Sequence, residues 1–257
     1  MRILEVYQES LQKLVQENLQ KRKEQLQRKS LYRCNICKDT GWILRTDEKG
    51  RVIASACECR KRNISKEQWK KTGINTESNL LTFKNFKEWN ESSKIAKSTA
   101  IAYFNDFANI KNSRHNSIIF CGQPGSGKTH LAIALAINFI KKNLKVIYFP
   151  YRDVITKIKQ NMLDSEFYKK FISKFETCDI LLIDDLFKGK VNDSDVNIMF
   201  EIINYRYINN LPMIINSEFL IDRLLYFDEA IGSRIYEMCR DYLVQIKHDI
   251  KNNYRLR

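Results

Sequence analysis

The sequence predicts an α/β protein whose core is a parallel sheet flanked by helices, preceded by an N-terminal helix and a small zinc ribbon. Three observations support this. A glycine-rich loop lies between an apolar strand and an apolar helix, strands and helices alternate after it, and two cysteine pairs come before it. Such alternation is typical of parallel sheets with right-handed crossovers. We therefore expect functional groups at the carboxyl ends of the strands.

The length of 257 residues suits one large α/β domain and a smaller module. We expect the N-terminal helix, the cysteine module and a linker in residues 1–80, and the larger α/β domain in residues 81–257. No apolar run approaches the ~20 residues of a membrane span, and the N-terminus lacks the apolar core of a signal peptide. A cytoplasmic protein without a membrane partner follows.

The chain is strongly basic, with a formal net charge of +14. A positive balance of this size predicts a polyanionic partner, above all nucleic acid. Lys, Asn and Ile are all abundant, as in chains encoded by AT-rich DNA, and this bias explains part of the charge. The charge supports contact with nucleic acid but does not by itself establish it.

The first segment, Ile3–Lys29, is predicted to be a helix. Apolar residues recur on one stripe between Leu4 and Leu19, and no Gly or Pro interrupts the pattern. Two interpretations stay open. The stripe docks on a partner protein, or it covers the module that follows.

The next segment carries two close cysteine pairs, a metal-ligand pattern in a reducing cytosol. The four thiolates of a closed tetrahedral zinc site would come from Cys34, Cys37, Cys57 and Cys59. Two short strands, Trp42–Leu44 and Arg51–Ile53, surround a predicted hairpin turn at Asp47–Gly50. The pattern favours zinc, with an iron–sulfur cluster as the alternative.

The stretch Arg60–Asn90 is polar and is predicted to be the boundary between the modules, without an assigned element. A helix is expected over Ser92–Asn109. The strands predicted after it are Ser117–Cys121, Lys145–Phe149, Cys178–Asp185, Leu211–Glu218 and Tyr242–Lys247, and a basic tail, Lys251–Arg257, follows the last of them. The helices predicted between these strands include Tyr151–Met162, Asp164–Phe175 and Val196–Ile208.

The loop after the first of these strands fits G-x-x-x-x-G-K-[ST] without a mismatch. Its residues are Gly122, Gln123, Pro124, Gly125, Ser126, Gly127, Lys128 and Thr129. The glycines let backbone N–H groups point inward, and the following helix offers its positive N-terminal end to phosphate. We expect Lys128 to reach the β- and γ-phosphates and the Thr129 hydroxyl to ligate Mg²⁺.

Two carboxylates, Asp184 and Asp185, end the strand Cys178–Asp185. We expect Asp184 to organise the Mg²⁺ shell and Asp185 to orient or deprotonate the attacking water. An Asp pair can also cap a helix or lie in a solvated turn, but its place at the end of a buried strand downstream of Lys128 favours the catalytic interpretation.

These motifs resemble the AAA+ ATPases of the DnaC/DnaI helicase-loader and IstB group. The resemblance covers about residues 82–257 through TFKNF, GQPGSGKT, LLIDDL, INYRYINNLPMIINSE and IGSRI. The cysteine segment, CNICKDTGWI with CECR, looks like the amino-terminal module of Gram-positive and phage-type loaders. The resemblance implies an AAA+ P-loop NTPase core with ATP and Mg²⁺ as cofactors. Only 23 residues follow Arg234 (257 − 234), so we expect no C-terminal helical lid of the kind that many AAA+ proteins carry.

Several site residues follow from the resemblance alone. Asn216 is the candidate for sensor 1, with Glu218 as the second choice, because the family often has Ser-Asn where this chain has Ser217-Glu218. Arg234 matches the family's arginine finger, and Arg206 is expected to face a neighbouring subunit. Self-association through the ATP-bound core is implied.

The function implied is ATP-dependent loading of a DnaB-type hexameric replicative helicase onto single-stranded DNA during replication initiation, by a slow, switch-like ATPase. The N-terminal helix and zinc module would hold the helicase, and the core would hold the DNA. Two alternatives stay open. One is an IstB-like accessory ATPase for transposition, and the other is a nucleotide-binding adaptor with negligible hydrolysis, since Asp185 is shorter than the commoner Glu.

Overall fold

The structure, a computed structural model, describes residues 32–71, 74 and 80–257. The predicted helix Ile3–Lys29 lies outside the described residues. The chain divides into two compact units between Lys61 and Arg62, while a domain boundary near Leu81 stays a prediction. Among the helices in the described ranges, none is long and apolar enough to cross a membrane.

The first unit contains an antiparallel hairpin of β1 (Trp42–Thr46) and β2 (Val52–Ala56), so the predicted ribbon is confirmed. The Asp47 carboxylate accepts hydrogen bonds from the backbone N–H groups of Lys49 at 2.9 Å and Arg51 at 2.8 Å. An Asp that bonds the backbone just ahead of it is a common stabiliser of tight turns. These bonds fix the register of the two strands.

Helix α1 (Glu58–Lys71) occupies part of the stretch to which the sequence assigned no element. Its residue Trp69 is fully buried, and the indole Nε1 donates a hydrogen bond to the carbonyl oxygen of Val146 at 2.9 Å. Val146 belongs to an edge strand of the main sheet, β4 (Val146–Pro150). The indole therefore covers a backbone acceptor that an exposed sheet edge would leave open.

The second unit is built on a five-stranded parallel sheet in the order β4-β5-β6-β3-β7, which confirms the predicted fold class. The other four strands are β3 (Ile118–Gly122), β5 (Ile180–Leu186), β6 (Met213–Ser217) and β7 (Leu243–Ile246). The helices are α2 (Glu91–Ile110), α3 (Lys128–Lys141), α4 (Tyr151–Gln160), α5 (Ser165–Thr177), α6 (Asp193–Ile208), α7 (Ile221–Phe227) and α8 (Glu229–Cys239). Helix α6 begins three residues before the predicted start because the Asn192 side chain caps it by accepting from Asp195 N–H.

Both faces of the sheet are buried, each under its own set of helices. Along β3, Ile118 and Phe120 contribute to the core beneath α2 and α3, while Ile119 and Cys121 contribute to the core beneath α4, α5, α6 and α8. Successive side chains of a strand point to opposite faces. A sheet covered on both sides therefore explains why its strands are continuous apolar runs in the sequence.

Arg206 does not face a neighbouring subunit, and that prediction is wrong. Its side chain on α6 is fully buried, and the guanidinium donates to the carbonyl oxygens of Phe175 at 2.8 Å, Cys178 at 3.1 Å and Pro212 at 2.7 Å. Burial lowers the pKa of Arg206. Arg206 instead satisfies the carbonyl groups at the end of α5 and ahead of β6.

Candidate nucleotide-binding site

The phosphate loop joins β3 to α3, and Gly125 and Gly127 are two of the positions at which it needs glycine. Gly125 and Gly127 have φ angles of 76° and 84°, which favour glycine. A Cβ on Gly127 would lie 2.7 Å from the Phe86 ring, and one on Gly125 would lie 2.1 Å from Asn253 Oδ1. The loop backbone is therefore packed against other segments on one side and lines a pocket on the other.

Lys128, the first residue of α3, lies within this loop. Its side chain is 6% exposed, and Nζ donates to the carbonyl oxygens of Gly122 at 2.8 Å and Gln123 at 2.7 Å. Burial lowers the pKa of Lys128, and the nearby Glu218 and Asp185 oppose that shift. The ammonium is thus held at the helix N-terminus, where phosphate oxygens would be attracted.

Asp184 collects three hydrogen-bond donors from three different elements. Oδ1 accepts from the Thr129 hydroxyl at 3.0 Å and from Asn216 Nδ2 at 2.6 Å, and Oδ2 accepts from the Tyr148 hydroxyl at 2.9 Å. Burial and the Asp184 carboxylate both raise the pKa of Tyr148, so this hydroxyl stays a donor. The structure thus brings the predicted Mg²⁺ ligands, Thr129 and Asp184, into direct contact.

Asn216 contacts Asp184 through its amide nitrogen rather than its amide oxygen. Its Oδ1 atom is buried and has no hydrogen-bond partner in the described part of the chain. The Asp184 carboxylate and the Thr129 hydroxyl are hard oxygen ligands of the kind that Mg²⁺ prefers, with waters filling the rest of its shell. The residues present therefore fit Mg²⁺. Glu218, the second choice for sensor 1, does not bond Asp184. Its Oε1 atom instead forms an ion pair with Lys188 Nζ at 2.8 Å.

Asp185 lies in a second, more exposed group. Its φ angle of 58° places it in the left-handed region, where β5 shifts register against β6 between Ile183 and Leu186. Its carboxylate pairs with Lys188 Nζ at 3.0 Å, so Lys188 bridges Asp185 and Glu218. The two carboxylates raise the pKa of Lys188. Lys188 was not singled out from the sequence, because no motif marks it.

The pocket beside the loop has a volume of about 320 Å³ and an aromatic wall. Phe86 lies 5.6 Å from the Trp89 ring centroid and 5.1 Å from that of His130, and Trp89 lies 5.0 Å from Tyr254. Lys87, Lys188 and Arg255 add positive charge to the lining. An aromatic wall next to a phosphate loop can accommodate a planar base together with its phosphates.

Several of these residues were missed from the sequence. Phe86 belongs to the TFKNF segment, which served only as a mark of resemblance, and Trp89 follows it closely. Tyr254 and Arg255 lie in the segment predicted to be a basic tail, which in the structure forms two short 3₁₀ turns. Composition marks such a segment as solvated, and only the tertiary structure places it beside the loop.

Arg234 lies on α8 and does not line the pocket of its own chain among the described residues. Its Nε donates to Asn204 Oδ1 at 3.0 Å, and a terminal nitrogen donates to the carbonyl oxygen of Ala230 at 2.7 Å. The guanidinium also lies over the rings of Phe200 and Tyr207. Its role as an arginine finger stays a prediction.

The cysteine cluster of the first unit has the geometry of a metal site. The four Sγ atoms lie within 4.8 Å of one another, with Cys34 3.7 Å from Cys57 and Cys37 3.3 Å from Cys59. Tetrahedral zinc with Zn–S bonds of about 2.3 Å places sulfurs about 3.8 Å apart. The thiols therefore fit zinc. Backbone N–H groups of Cys37 and Ile36 lower the pKa of the Cys34 thiol to about 6, whereas the hydrogen bond with Cys37 and burial raise the pKa of Cys59. Binding of a metal would therefore have to release a proton from Cys59.

Comparison with known proteins gives consistent matches. The family model described as IstB-like ATP binding protein matches residues 66–249. The chain is 41% identical over 214 residues to the uncharacterized protein YqaM of Bacillus subtilis (strain 168), covering 80% of this chain and 67% of that protein. It is 38% identical over 226 residues to the phage-like element PBSX protein XkdC of the same strain, and the match covers 85% of this chain and 84% of that protein. A crystal structure of the DnaC helicase loader aligns with a TM-score of 0.56 and 26% identity over 71% of this chain and 99% of that one.

Proposed function

Because this chain belongs to the IstB-like ATP-binding family, we propose that it is an ATP-dependent loader that places a DnaB-type hexameric replicative helicase on single-stranded DNA. The observation that carries the ATP-dependent part is the joining of Thr129, Asp184 and Asn216 by hydrogen bonds beside the phosphate loop. The helicase and DNA are proposed from the similarity to the DnaC helicase loader over nearly all of that chain, and from the resemblance of the cysteine module to loader modules.

In the proposed mechanism, Lys128 leaves the loop carbonyls and pairs with the β- and γ-phosphates, since its ammonium already faces that part of the pocket. Thr129 and Asp184 would hold Mg²⁺, which when bound would neutralise phosphate charge. Asp185 orients the attacking water after exchanging Lys188 for that water. Hydrolysis is proposed to be slow, because the Asp185 side chain is one methylene shorter than that of Glu and has a short reach to the water.

Arg234 is proposed to complete the site of a neighbouring subunit. An arginine finger stabilises the charge of the transferring phosphoryl group and can accelerate hydrolysis by orders of magnitude. Since Arg234 is absent from the described lining of its own pocket, it would act in trans, and ATP would favour assembly of the cores side by side. This makes the ATPase a switch that depends on assembly.

The two units are proposed to have separate partners. The N-terminal helix and the zinc module would hold the helicase, and the core would hold single-stranded DNA through phosphates, since the chain carries a net charge of +14. DNA affinity should then fall steeply with salt and be independent of sequence.

A helicase-loading assay tests this proposal. Purified replicative helicase from the organism in which the chain is expressed is mixed with a single-stranded template bearing a short duplex, and unwinding is measured with ATP and with the parent chain. Lys128→Ala should abolish stimulation. Lys141→Ala, which changes an exposed residue at the end of α3, is the matched control and should stimulate as the parent does. A parent chain that neither binds the helicase nor stimulates unwinding would overturn the proposal.

A second candidate is an accessory ATPase for transposition, favoured by the description of the matching family model as IstB-like. Its partners would be a transposase and duplex DNA. Binding measured in parallel on single strands and duplexes separates the two, because a loader should prefer single strands. The third candidate, an adaptor with negligible hydrolysis, is favoured by the short side chain of Asp185, where Glu is commoner, and turnover measured with and without single-stranded DNA decides it.

A further inference from the structure

Residues 247–256, here called the strap, follow β7 and cross the phosphate loop. Tyr254 N–H donates to the carbonyl oxygen of Gly125 at 2.9 Å, and Asp249 N–H donates to Gln123 Oε1 at 2.7 Å. Just ahead of the strap, the carbonyl oxygen of Ile246 accepts from Gln123 N–H at 3.0 Å. The strap is therefore bonded to the backbone and side chains of the loop itself.

The other side of the strap is attached to the start of α2. The carbonyl oxygen of Lys251 accepts from Trp89 Nε1 at 3.2 Å and from Asn90 Nδ2 at 3.0 Å. Asn90 Nδ2 also donates to Asn252 Oδ1 at 2.7 Å, and Asn252 is buried. Bonds to two separate segments fix the strap as a wall of the pocket rather than a solvated tail.

Two side chains of the strap line the pocket, Tyr254 on the aromatic wall with Trp89 and Arg255 next to it. The pocket lining is positive, because Lys87, Lys128, Lys188 and Arg255 outnumber the two carboxylates, Asp185 and Glu218, both of which pair with Lys188. A planar guanidinium matches the paired oxygens of a phosphate chain, and a tyrosine ring offers a face to a base.

We propose that the strap is part of the nucleotide site of its own chain, with Arg255 contacting the phosphates and Tyr254 contacting the base of ATP. This inference rests on the proposed function in one respect, that the pocket binds ATP. It adds two binding residues that the phosphate-loop motif does not contain and that a sequence of this composition does not reveal.

Displacement of a fluorescent ATP analogue from the full-length chain, by ATP and separately by adenosine, tests both roles. Arg255→Ala should weaken the binding of ATP about tenfold or more, which is the loss expected for a charge-assisted hydrogen bond, and should leave the binding of adenosine unchanged. Tyr254→Ala should weaken the binding of ATP and of adenosine by a similar factor of about three to ten. Arg255→Lys should retain part of the ATP affinity, and Tyr254→Phe should bind as the parent does.

Arg257→Ala removes an exposed arginine two residues beyond Arg255, outside the described lining of the pocket, and should bind both ligands as the parent does. Melting temperatures of all variants show that the fold is kept. If the parent does not bind ATP, the proposed function itself fails. If the parent binds ATP, and Arg255→Ala and Tyr254→Ala bind ATP and adenosine as tightly as the parent does, only the strap inference is overturned. Equal losses for ATP and adenosine in Arg255→Ala would overturn the assignment of Arg255 to the phosphates.

Discussion

The contact between the phosphate loop and the strap can be measured as a free energy at Gly125. A Cβ at this position would lie 2.1 Å from Asn253 Oδ1 and 2.7 Å from Asn253 Cγ. The Asn253 side chain cannot turn away without cost, because Oδ1 accepts a hydrogen bond from Arg255 N–H at 3.0 Å. Gly125→Ala therefore meets two penalties, a left-handed backbone at φ 76° and a broken turn in the strap.

The expected magnitude follows from these two penalties. A left-handed conformation costs a residue with a Cβ about 1–2 kcal/mol, and a lost hydrogen bond costs about 1 kcal/mol. Gly125→Ala should thus lower the free energy of unfolding by about 2–3 kcal/mol. Asn253→Ala removes the atoms that obstruct the Cβ and also the hydrogen bond from Arg255 N–H, so it should lower the free energy of unfolding by about 1 kcal/mol. In the double variant the free energy of unfolding should fall by about 1 kcal/mol less than the sum of the two single losses, because the hydrogen bond is lost only once.

Urea unfolding followed by tryptophan fluorescence gives the four free energies of this cycle. Gly50→Ala is the control for backbone strain alone, because Gly50 also has a φ angle of 76° but its added Cβ would meet nothing within 4 Å. Gly50→Ala combined with Asn253→Ala should be additive. If Gly125→Ala and Asn253→Ala are additive within about 0.3 kcal/mol as well, the strap does not pack on the loop and the reasoning is refuted.

Four further predictions concern the metal, the catalytic groups and pH. Elemental analysis should find one zinc per chain, and the four clustered cysteines should resist alkylation in the native state; free alkylation would exclude the site. Asp185→Asn should bind Mg²⁺·ATP and lose hydrolysis, and a parent-like turnover would reassign the water-orienting role. Inactive Arg234→Ala mixed with inactive Lys128→Ala should recover activity, and no recovery in demonstrated mixed assemblies would argue against action in trans. Burial lowers the pKa of His130 below its ordinary 6.5, so the folded state binds its proton less readily than the unfolded state. Stability should therefore be lost as pH falls below about 6.5, and His130→Gln should reduce that loss in thermal melts.

The part of the site that could be predicted from the sequence is the part set by local constraints. The loop needs glycine at left-handed positions, and the apolar run of β5 leads into two carboxylates near its end, so Lys128 and Asp184 follow from patterns within a few residues. The parallel sheet follows from strands and helices that alternate along the chain. Helix and strand bounds shifted by only a few residues, as at α6, where a capping side chain sets the start.

The features that could not be predicted depend on contacts between distant residues. Trp89 and Lys251 are separated by 162 positions, and Trp69 and Val146 by 77. A single sequence carries no signal for such pairs, because burial and hydrogen bonding are set by the tertiary fold. Arg206 was misplaced for the same reason, since a short motif resemblance says nothing of the carbonyl groups that surround it.

The two carboxylates at the end of β5 differ in a way that the sequence conceals. Asp184 is 7% exposed and accepts three hydrogen bonds, whereas the side chains of Asp185 and Lys188 are 38% and 39% exposed. Exposed ion pairs contribute only about 0–1 kcal/mol, so Asp185 can exchange Lys188 for a water molecule at little cost. A buried, fully bonded carboxylate suits a group that holds an ion in place, and an exposed, weakly paired one suits a group that must change partners during the reaction. Asp184 and Asp185 thus have the same side-chain chemistry but differ in burial, and this difference agrees with the roles proposed for them.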